Sequence, residues 1–386
     1  MSQSLMTAYK DAVATPIGEA RCLPFALYHD RSVFAPEAES LFHNDWVFAC
    51  AEAKLADAGD YFALEIVREQ VVIIRGKDGE LRALSNNCRH RGTPLLDLGF
   101  GNAGKNIVCP YHAWTFDDKG SFRGAPFAGE VAIEKDDHCL PQYAVAVWKG
   151  LVFVNLADEP QPFSERIEGL DAYLEVFELD RFQHAYHLEA EYWNANWKLA
   201  VENGIESYHL FKVHKETLET MTPTKQAYYV AGSSEWTLTG GAIKDERSTL
   251  TKWLTGSHPE AYSQYVLLFL PPSLIAVIDY EGMHWIQILP TDAEHCEVIP
   301  GGLSQQPVKN FDSPEFQFTH AFLAEDKEIC ERVQRGMHSQ KGEGGKLVSL
   351  EQILVDFRHY VGNRLFGTCP EPFREGERAA LFLDPK

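Results

Sequence analysis

The sequence predicts an α+β protein with two domains: a small antiparallel β domain, and a larger domain in which helices pack on an antiparallel sheet. Runs rich in β-branched and aromatic residues, separated by turn-forming residues, dominate the first part of the chain. Helical spacing of apolar residues begins after a proline-bearing segment at 157–163. The length of 386 residues also favours more than one compact unit. These observations predict a β domain at 40–157 and a larger domain formed by 1–39 and 158–386.

The β domain is predicted from its strands and the turns between them. Residues 61–67, 70–76 and 150–156 are β-branched or aromatic-rich runs bounded by turn residues. The segments KDGE at 77–80 and DDKG at 117–120 suit hairpin turns, because Asp and Gly tolerate the backbone angles that such turns require.

The larger domain is predicted to mix helices with strands. FSERIEGLDAYLEVF (163–177) and NWKLAVENGIESYHLF (196–211) have helical spacing. Apolar residues from Leu347 to Tyr360 also recur at helical spacing, and Gly367 suits a helix stop. Strands broken by turns are expected at 265–280 and 284–291.

Charge and hydropathy narrow the possible partners. The formal net charge is −21, which argues against nucleic acid and anionic membranes, since both repel an acidic surface. No apolar run approaches the roughly 20 residues needed to span a bilayer. The first 20 residues lack the basic start and apolar stretch of a secretory signal, so a cytoplasmic protein is expected.

The first candidate site is a pair of Cys/His motifs, Cys88-x-His90 and Cys109-x-x-His112. Two thiolates and two imidazoles on two loops can bind either a tetrahedral zinc or a mixed-ligand [2Fe–2S] cluster. Each motif supplies one Cys and one His, which favours the cluster, because one iron can take both cysteines and the other both histidines. Zinc fingers usually pair Cys with Cys and His with His along the chain.

The second candidate site is the segment VENGIESYHLFKVH at 201–214. An α-helix advances about 100° per residue, so Glu202, Glu206 and His209 are expected near one helix face, with His214 about 140° further round. Both histidines can meet one metal only if the helix ends or bulges between them. The alternative is a pair of ordinary histidines flanking a helix end.

A carboxylate would complete the second site. Two imidazoles and one carboxylate form the facial ligand set of non-haem Fe(II) oxygenases. The probable helix FLAEDKEICERVQRG at 322–336 offers Glu325, Asp326 and Glu328. The alternative for this stretch is an acidic, solvated helix face.

The motifs CRH…CPYH, E-x-x-H-x-x-x-x-H and AEDKEICERVQRG together resemble the catalytic α subunit of Rieske non-haem iron oxygenases. The resemblance covers nearly the whole chain in the order and spacing of elements. It implies a [2Fe–2S] Rieske cluster and a mononuclear non-haem Fe(II). It also favours Asp326 over Glu325, because the family pattern places Asp in the Glu-Asp pair. The implied cluster ligands are Cys88, His90, Cys109 and His112, and the implied iron ligands are His209, His214 and Asp326.

Glu206 departs from the usual family pattern. Ring-hydroxylating members usually have Asp three residues before the first iron histidine, and that residue bridges a cluster histidine of a neighbouring subunit to an iron histidine. The resemblance thus makes Glu206 a catalytic bridge between His112 and His209. A glutamate here is similar to oxygenases that act on quaternary ammonium compounds such as carnitine and glycine betaine.

The resemblance also implies partners and a reaction. A separate NAD(P)H-dependent reductase, with or without a ferredoxin, would supply electrons, since no flavin or dinucleotide fingerprint stands out in the chain. With O2, the enzyme would monooxygenate a methylated or quaternary ammonium compound, leading to demethylation or C–N cleavage, and it would assemble as a homotrimer. The alternatives are hydroxylation or demethylation of an aromatic compound by a mono- or dioxygenase, a Rieske electron carrier without oxygenase activity, and a zinc-stabilised binding module.

Aromatic residues of the larger domain suggest how an ammonium substrate could be held. Trp236, Tyr262, Tyr265 and Trp285 could supply a cation–π box. The alternative is that these rings fill the core, as aromatic residues in strands usually do.

Overall fold

The chain forms two compact units. The computed structural model describes residues 2–230, 233–243, 264–368 and 378–380. One unit is Phe42–Phe163, and the other joins Met1–Leu41 to Ser164–Lys386. The boundaries expected from the sequence, 40 and 157, lie within a few residues of these.

The smaller unit is built from antiparallel strands. One sheet has the order β1-β10-β9-β4-β3-β2-β5, and β6-β7-β8 form a separate small sheet. The strands are β1 (Val47–Ala51), β2 (Asp60–Ile66), β3 (Glu69–Arg75), β4 (Leu81–Ser85), β5 (Gly99–Asn102), β6 (Ile107–Val108), β7 (Thr115–Phe116), β8 (Phe122–Gly124), β9 (Gln142–Trp148) and β10 (Leu151–Asn155).

The apolar core of the smaller unit reaches directly to the two Cys/His loops. Side chains from β2, β3 and β4 pack against Phe116 and Phe122 of the small sheet. Cys88 and Cys109 belong to this core and are each only 3% exposed. The packing therefore holds both sulfur atoms in a dry environment while the rest of each loop reaches the surface.

The larger unit has a long antiparallel sheet. Its order is β11-β18-β17-β16-β15-β14-β13-β19, and β12 also pairs with β18. The strands are β11 (His184–His187), β12 (Glu191–Trp193), β13 (Tyr228–Val230), β14 (Thr237–Ala242), β15 (Gln264–Leu270), β16 (Leu274–Ile278), β17 (Gly282–Pro290), β18 (Cys296–Ser304) and β19 (Arg378–Ala380).

Helices flank this sheet. The α-helices are α1 (Ser2–Val13), α2 (Arg31–Glu37), α3 (Phe163–Arg166), α4 (Asp171–Leu174), α5 (Trp197–Ile205), α6 (Leu210–Val213), α7 (Leu218–Met221), α8 (Pro314–Met337) and α9 (Gln352–Phe366). A π-helical turn spans Ala38–His43. Short 3₁₀ turns span Phe25–Tyr28, Glu52–Lys54, Asp136–His138, Glu175–Phe177, Leu179–Arg181, Thr224–Gln226 and Ser349–Glu351. In the described part of the chain, no helix combines the length and apolar character needed to cross a membrane.

The predicted fold class is confirmed, with local errors in the helices. The strands expected at 61–67 and 70–76 are β2 and β3, and Gly367 ends α9 with a φ of +60°. The single helix expected at 163–177 is instead α3 and α4, separated by Gly169 with a φ of +75°. A left-handed glycine ends a helix readily, because it has no Cβ to clash.

Glycines in the large sheet lie under aromatic rings of the neighbouring strand. Gly301 is directly opposite Trp285, and a Cβ at Gly301 would lie 2.7 Å from the indole. Gly241 is opposite Tyr265, and a Cβ there would lie 2.8 Å from the phenol ring. The absence of a side chain on the glycine gives each ring a flat surface to cover, so these pairs fix strand register.

A buried carboxyl group makes the stability of the larger unit depend on pH. Asp356 on α9 is 1% exposed, and the Tyr229 hydroxyl donates a hydrogen bond to its Oδ2 at 2.5 Å. Burial raises the pKa of Asp356 to about 8, despite hydrogen bonds that lower it. The native state therefore holds a proton that the unfolded chain releases near pH 4, so this group's stabilisation declines as pH rises from about 4 to about 8.

Asp356→Asn should remove that pH dependence. Asparagine is neutral at every pH and can still accept the Tyr229 hydrogen bond. The variant should match the wild type near pH 4.5 and exceed its free energy of unfolding by roughly 1–3 kcal/mol near pH 8.5. Denaturant unfolding of both proteins at the two pH values measures the difference. Parallel pH profiles would show that Asp356 is ionised in the native state.

Candidate metal centres

The first Cys/His loop is closed by backbone hydrogen bonds. The Cys88 N–H donates to the Thr93 carbonyl at 2.9 Å, and the Gly92 N–H donates to the Cys88 carbonyl at 2.9 Å. Gly92 has a φ of +72°, a conformation that favours glycine. This tight turn leaves His90 exposed at the tip while Cys88 points into the core.

The second loop repeats the same pattern. The Cys109 N–H donates to the Trp114 carbonyl at 2.8 Å, and the Ala113 N–H donates to the Cys109 carbonyl at 3.0 Å. Ala113 occupies the place of Gly92 with a φ of +56°, a conformation that costs a non-glycine residue about 1 kcal/mol. The shared conformation presents the two sulfur atoms and the two imidazoles in the same way.

The two cysteine side chains lie beside each other, and so do the two histidine rings. Burial raises the pKa of the Cys88 thiol, and a hydrogen bond with Cys109 contributes further. The His90 and His112 ring centroids lie 4.8 Å apart. Paired thiols and paired imidazoles fit a [2Fe–2S] cluster in which each iron takes one pair.

The helix that precedes the second site ends earlier than the sequence predicted. The prediction of one continuous helix over 196–211 is wrong, because α5 ends at Ile205, before both histidines. A helix does end between the two histidines, as expected, but it is the separate turn α6, which ends at Val213. Glu206 is extended, with φ −106° and ψ 161°, and its carboxylate accepts hydrogen bonds from the backbone N–H groups of Tyr208 and His209. The Glu206 side chain thus ends one helix and caps the next turn.

The two histidines flank the single turn of α6. His209 precedes Leu210, and His214 follows Val213 with its N–H donating to the Leu210 carbonyl at 3.0 Å. Their ring centroids are 5.0 Å apart. A five-residue spacing therefore brings both imidazoles together across the ends of a one-turn helix.

Asp326 of α8 lies at the point where the imidazoles meet. Its Oδ1 lies 2.9 Å from His214 Nε2 and 3.5 Å from His209 Nε2. Burial lowers the pKa of His209, but hydrogen bonds to Asp326 and Glu206 outweigh this effect and raise it to about 10. Burial also opposes ionisation of Asp326, yet the two histidines lower its pKa to about 2. The site holds positive charge strongly, as a cation site should.

A carboxylate at the Nδ1 atom of each imidazole, on the side away from Asp326, fixes the orientation of the ring. His209 Nδ1 lies 2.7 Å from Glu206 Oε1, and His214 Nδ1 lies 2.7 Å from Glu325 Oε2. Because a carboxylate only accepts hydrogen bonds, each Nδ1 carries a hydrogen. Without a metal each Nε2 donates its hydrogen to Asp326 Oδ1, and a bound metal would replace that hydrogen at Nε2 while Nδ1 keeps its own. The three donor atoms of His209, His214 and Asp326 lie within 4.8 Å of one another. This donor set fits a divalent iron.

The three acidic residues proposed on α8 have different surroundings. Glu325 holds His214 from behind and receives a hydrogen bond from Thr217 Oγ1 at 2.7 Å, whereas Glu328 is exposed. Asn203 Nδ2 donates to Asp326 Oδ1 at 2.7 Å. Sequence reasoning missed Thr217 and Asn203, since neither residue type signals a metal site, although Asn203 lies within the quoted motif.

Glu202 does not join the histidines. It accepts hydrogen bonds from the Tyr28 hydroxyl, the shorter at 2.8 Å, and lies 3.8 Å from the Arg358 guanidinium. Its helix neighbour Lys198 pairs with Glu37 at 2.8 Å, and both side chains are fully buried. The expected grouping of Glu202 on the metal-site face is wrong, because these buried groups require partners of their own.

The aromatic residues predicted as a cation box have structural contacts. Trp236 is fully buried and donates to the Glu168 carbonyl at 2.9 Å. Tyr265 and Trp285 cover glycines of the large sheet. Tyr262 lies outside the described residues. These contacts favour the alternative that the described rings pack the sheet.

Two family models match the chain. The Rieske [2Fe–2S] domain matches residues 45–144, and the catalytic domain of the ring-hydroxylating alpha subunit matches residues 178–365. The match boundaries lie inside the two compact units.

Curated relatives and a solved structure are also similar. The glycine betaine monooxygenase oxygenase subunit of Chromohalobacter salexigens is 34% identical over 222 residues, which are 56% of this chain and span about half, 49%, of that protein. The carnitine monooxygenase oxygenase subunit of Escherichia coli (strain K12) is 29% identical over 335 residues, covering 84% of this chain and 87% of that protein. A solved quaternary ammonium Rieske monooxygenase, described with carnitine oxidation and inter-subunit electron transfer, has a TM-score of 0.79 at 25% identity, covering 92% of this chain and 98% of that one.

Proposed function

Because the chain belongs to the Rieske oxygenases, joining a [2Fe–2S] domain to the catalytic domain of ring-hydroxylating alpha subunits, we propose that it is an oxygenase component acting on a small methylated or quaternary ammonium compound. The observation that carries the proposal is the convergence of His209, His214 and Asp326, with carboxylates behind both imidazoles. This geometry also disfavours the electron-carrier alternative, which has no use for a second metal site.

The residues divide the work between two centres. When bound, the [2Fe–2S] cluster supplies single electrons, and the mononuclear iron activates O2 for insertion into a C–H bond. Cys88, His90, Cys109 and His112 would hold the first group, and His209, His214 and Asp326 the second. The three iron ligands leave other coordination positions free for O2 and substrate. Glu206 orients His209 and offers a carboxylate to a second imidazole.

We infer that Glu206 meets His112 of a neighbouring subunit in a homotrimer. Tyr208 and Phe211, beside Glu206, are 42% and 50% exposed, and Tyr111, beside His112, is 55% exposed. Arg89 and Arg91 flank His90. Residues 42–163 carry 12 Lys+Arg and 17 Asp+Glu, whereas the rest of the chain carries 23 and 39. An apolar, locally basic loop surface would thus meet an acidic unit of the next subunit.

We also propose a separate NAD(P)H-dependent reductase, with or without a ferredoxin, and a cytoplasmic location. The two matched family models both describe iron domains, and the proposed reductase would supply the electrons that these domains use. None of the seven cysteines of the described residues forms a disulfide, as expected in a reducing compartment.

The substrate class rests on Glu206 and on the relatives. Glutamate stands where aromatic-ring hydroxylases usually have Asp, and the similar proteins are described as glycine betaine and carnitine monooxygenases. Hydroxylation or demethylation of an aromatic compound is the second candidate, favoured by the ring-hydroxylating family model.

Turnover on a substrate panel tests this assignment. Purified protein with a surrogate reductase should consume O2 with glycine betaine, carnitine or γ-butyrobetaine, and should release product in proportion. Aromatic carboxylic acids serve as the comparison set. Coupled turnover with the aromatic acids alone would refute the ammonium assignment and leave the oxygenase assignment standing.

A further inference from the structure

We propose that the electron enters the cluster through the side chain of Trp114, along a ring path formed by His138, Trp114 and His90, while His112 faces the exit towards the next subunit. The proposal rests on the proposed function for the cluster itself. It assigns different roles to the two cluster histidines.

Trp114 links the two cluster loops. Its carbonyl accepts the Cys109 N–H within the second loop, whereas its indole stacks on His90 of the first loop, with centroids 4.7 Å apart and planes 10° apart. The ring is only 8% exposed, and Phe122 packs against the indole itself, with ring centroids 4.8 Å apart. The indole therefore covers one side of His90 and holds its plane.

His138 extends this contact to the surface. Its ring meets Trp114 edge-to-face at 5.2 Å, and its Nδ1 hydrogen bonds to the Glu134 carbonyl at 2.7 Å, which holds the ring in place. His138 lies on the 3₁₀ turn Asp136–His138 and is partly exposed. The ring path thus runs by direct contact from a solvent-facing imidazole to the expected ligand His90.

His112 has different surroundings. Its neighbour Tyr111 lies over it, with centroids 3.7 Å apart, and is more than half exposed. Arg91 lies 5.7 Å from the Tyr111 ring centroid. Both imidazoles are exposed, and their neighbours differ. The exposed aromatic ring and the cation beside His112 suit contact with another subunit, whereas the buried indole on His90 suits a fixed internal contact.

The electron transfer requires no bond to form or break. One electron passes from a reduced flavin or iron–sulfur donor to the oxidised cluster, and the donor is oxidised by one electron. Closely packed rings couple the donor to the cluster electronically better than water in the same gap would. The rings contribute coupling and exclude solvent, and none of them needs to be oxidised or reduced.

Flash-induced electron injection tests the ring path. Cys139 is partly exposed and adjacent to His138, so it can carry a thiol-linked ruthenium polypyridyl photoreductant. The background is Cys22→Ser with Cys369→Ser, because Cys22 is the other partly exposed cysteine of the described residues and Cys369 lies outside them. The rate of cluster reduction is read anaerobically in the holoprotein. Trp114→Leu and His138→Leu should each slow injection by about tenfold or more, and Trp114→Phe should restore part of the rate. Phe100→Leu, which removes an exposed ring of the same unit outside the path, should leave the rate unchanged.

Two further readouts separate lost coupling from damage to the cluster. Reduction by dithionite, which reaches the exposed histidines directly, should remain within about twofold of wild type in the variants. Loss of the indole should admit water, stabilise the negative charge gained on reduction and shift the cluster potential to a more positive value. Slower injection despite this larger driving force then identifies lost coupling.

Wild-type injection rates in both Trp114→Leu and His138→Leu would overturn the proposal, as would equal slowing by Phe100→Leu. If Trp114→Leu loses its cluster, Trp114→Phe and His138→Leu decide the matter. All rates are measured without substrate or O2, so failure here is distinct from failure of the ammonium oxygenase assignment. Absence of any cluster in the wild type would instead refute the proposed function.

Discussion

Replacing Asp326 with alanine is expected to remove the mononuclear iron and abolish oxygenation while leaving the cluster intact. Asp326 Oδ1 is the only carboxylate oxygen that lies close to both Nε2 atoms among the described residues. Without it, two neutral imidazoles remain, and they hold Fe²⁺ weakly because no anionic ligand offsets its charge. Iron content should fall from about three to about two per chain, with the cluster absorption unchanged.

Glu325→Gln is the matched control for Asp326→Ala. Glu325 precedes Asp326 on the same helix but contacts His214 Nδ1 instead of facing the metal position. The Glu325→Gln variant should retain most of its mononuclear iron, with the affinity for that iron reduced about 10–100-fold, as expected when a residue that orients a ligand is changed. Retention of about three irons per chain in Asp326→Ala, measured alongside this control, would remove Asp326 from the ligand set.

Glu206→Gln should keep both metal centres but strongly reduce coupled turnover, by about 10–100-fold. Glu206 accepts with both oxygens, Oε1 from His209 Nδ1 and Oε2 from the N–H groups of Tyr208 and His209. A glutamine amide presents a donor on one side, so it must lose one of these contacts. It also lacks the negative charge proposed to bridge the two imidazoles. Single-turnover oxidation of the reduced cluster, measured with substrate and O2, reports directly the electron transfer from the cluster to the mononuclear iron.

Two further variants serve as comparisons for Glu206→Gln. Glu206→Asp restores a carboxylate on a shorter side chain and should recover part of the lost rate. Glu328→Gln changes an exposed glutamate on α8 and should behave like wild type. Near-normal turnover in Glu206→Gln, with normal iron content, would show that no bridge at this position is needed.

The sequence was most informative where a residue type is demanded by chemistry. Cysteine and histidine at short spacing identified both loops of the smaller unit, and runs rich in β-branched or aromatic residues located β2 and β3. The choice of Asp326 over its neighbours came from the family pattern, and the structure places that carboxylate beside both histidines.

Elsewhere, a local side-chain hydrogen bond and a tertiary packing contact overrode the helical pattern. The apolar spacing of 196–211 predicts one helix, but the Glu206 carboxylate captures the next backbone N–H groups and ends it. Gly204, in the last turn, lies so close to Ile275 of the sheet that a Cβ would come within 2.7 Å. Such a packing requirement depends on residues about 70 positions away, so no local window reveals it.

The most direct test of the account combines two inactive variants in one oligomer. Cys88→Ser is expected to lack the cluster, and Asp326→Ala is expected to lack the mononuclear iron. Each variant alone should be inactive, whereas co-expressed mixtures should regain about one quarter of wild-type turnover, the fraction of productive junctions when subunits assort at random in the proposed trimeric ring. Recovery at that level supports electron transfer between adjoining subunits. Mixed oligomers that form but remain as inactive as their parents would contradict it.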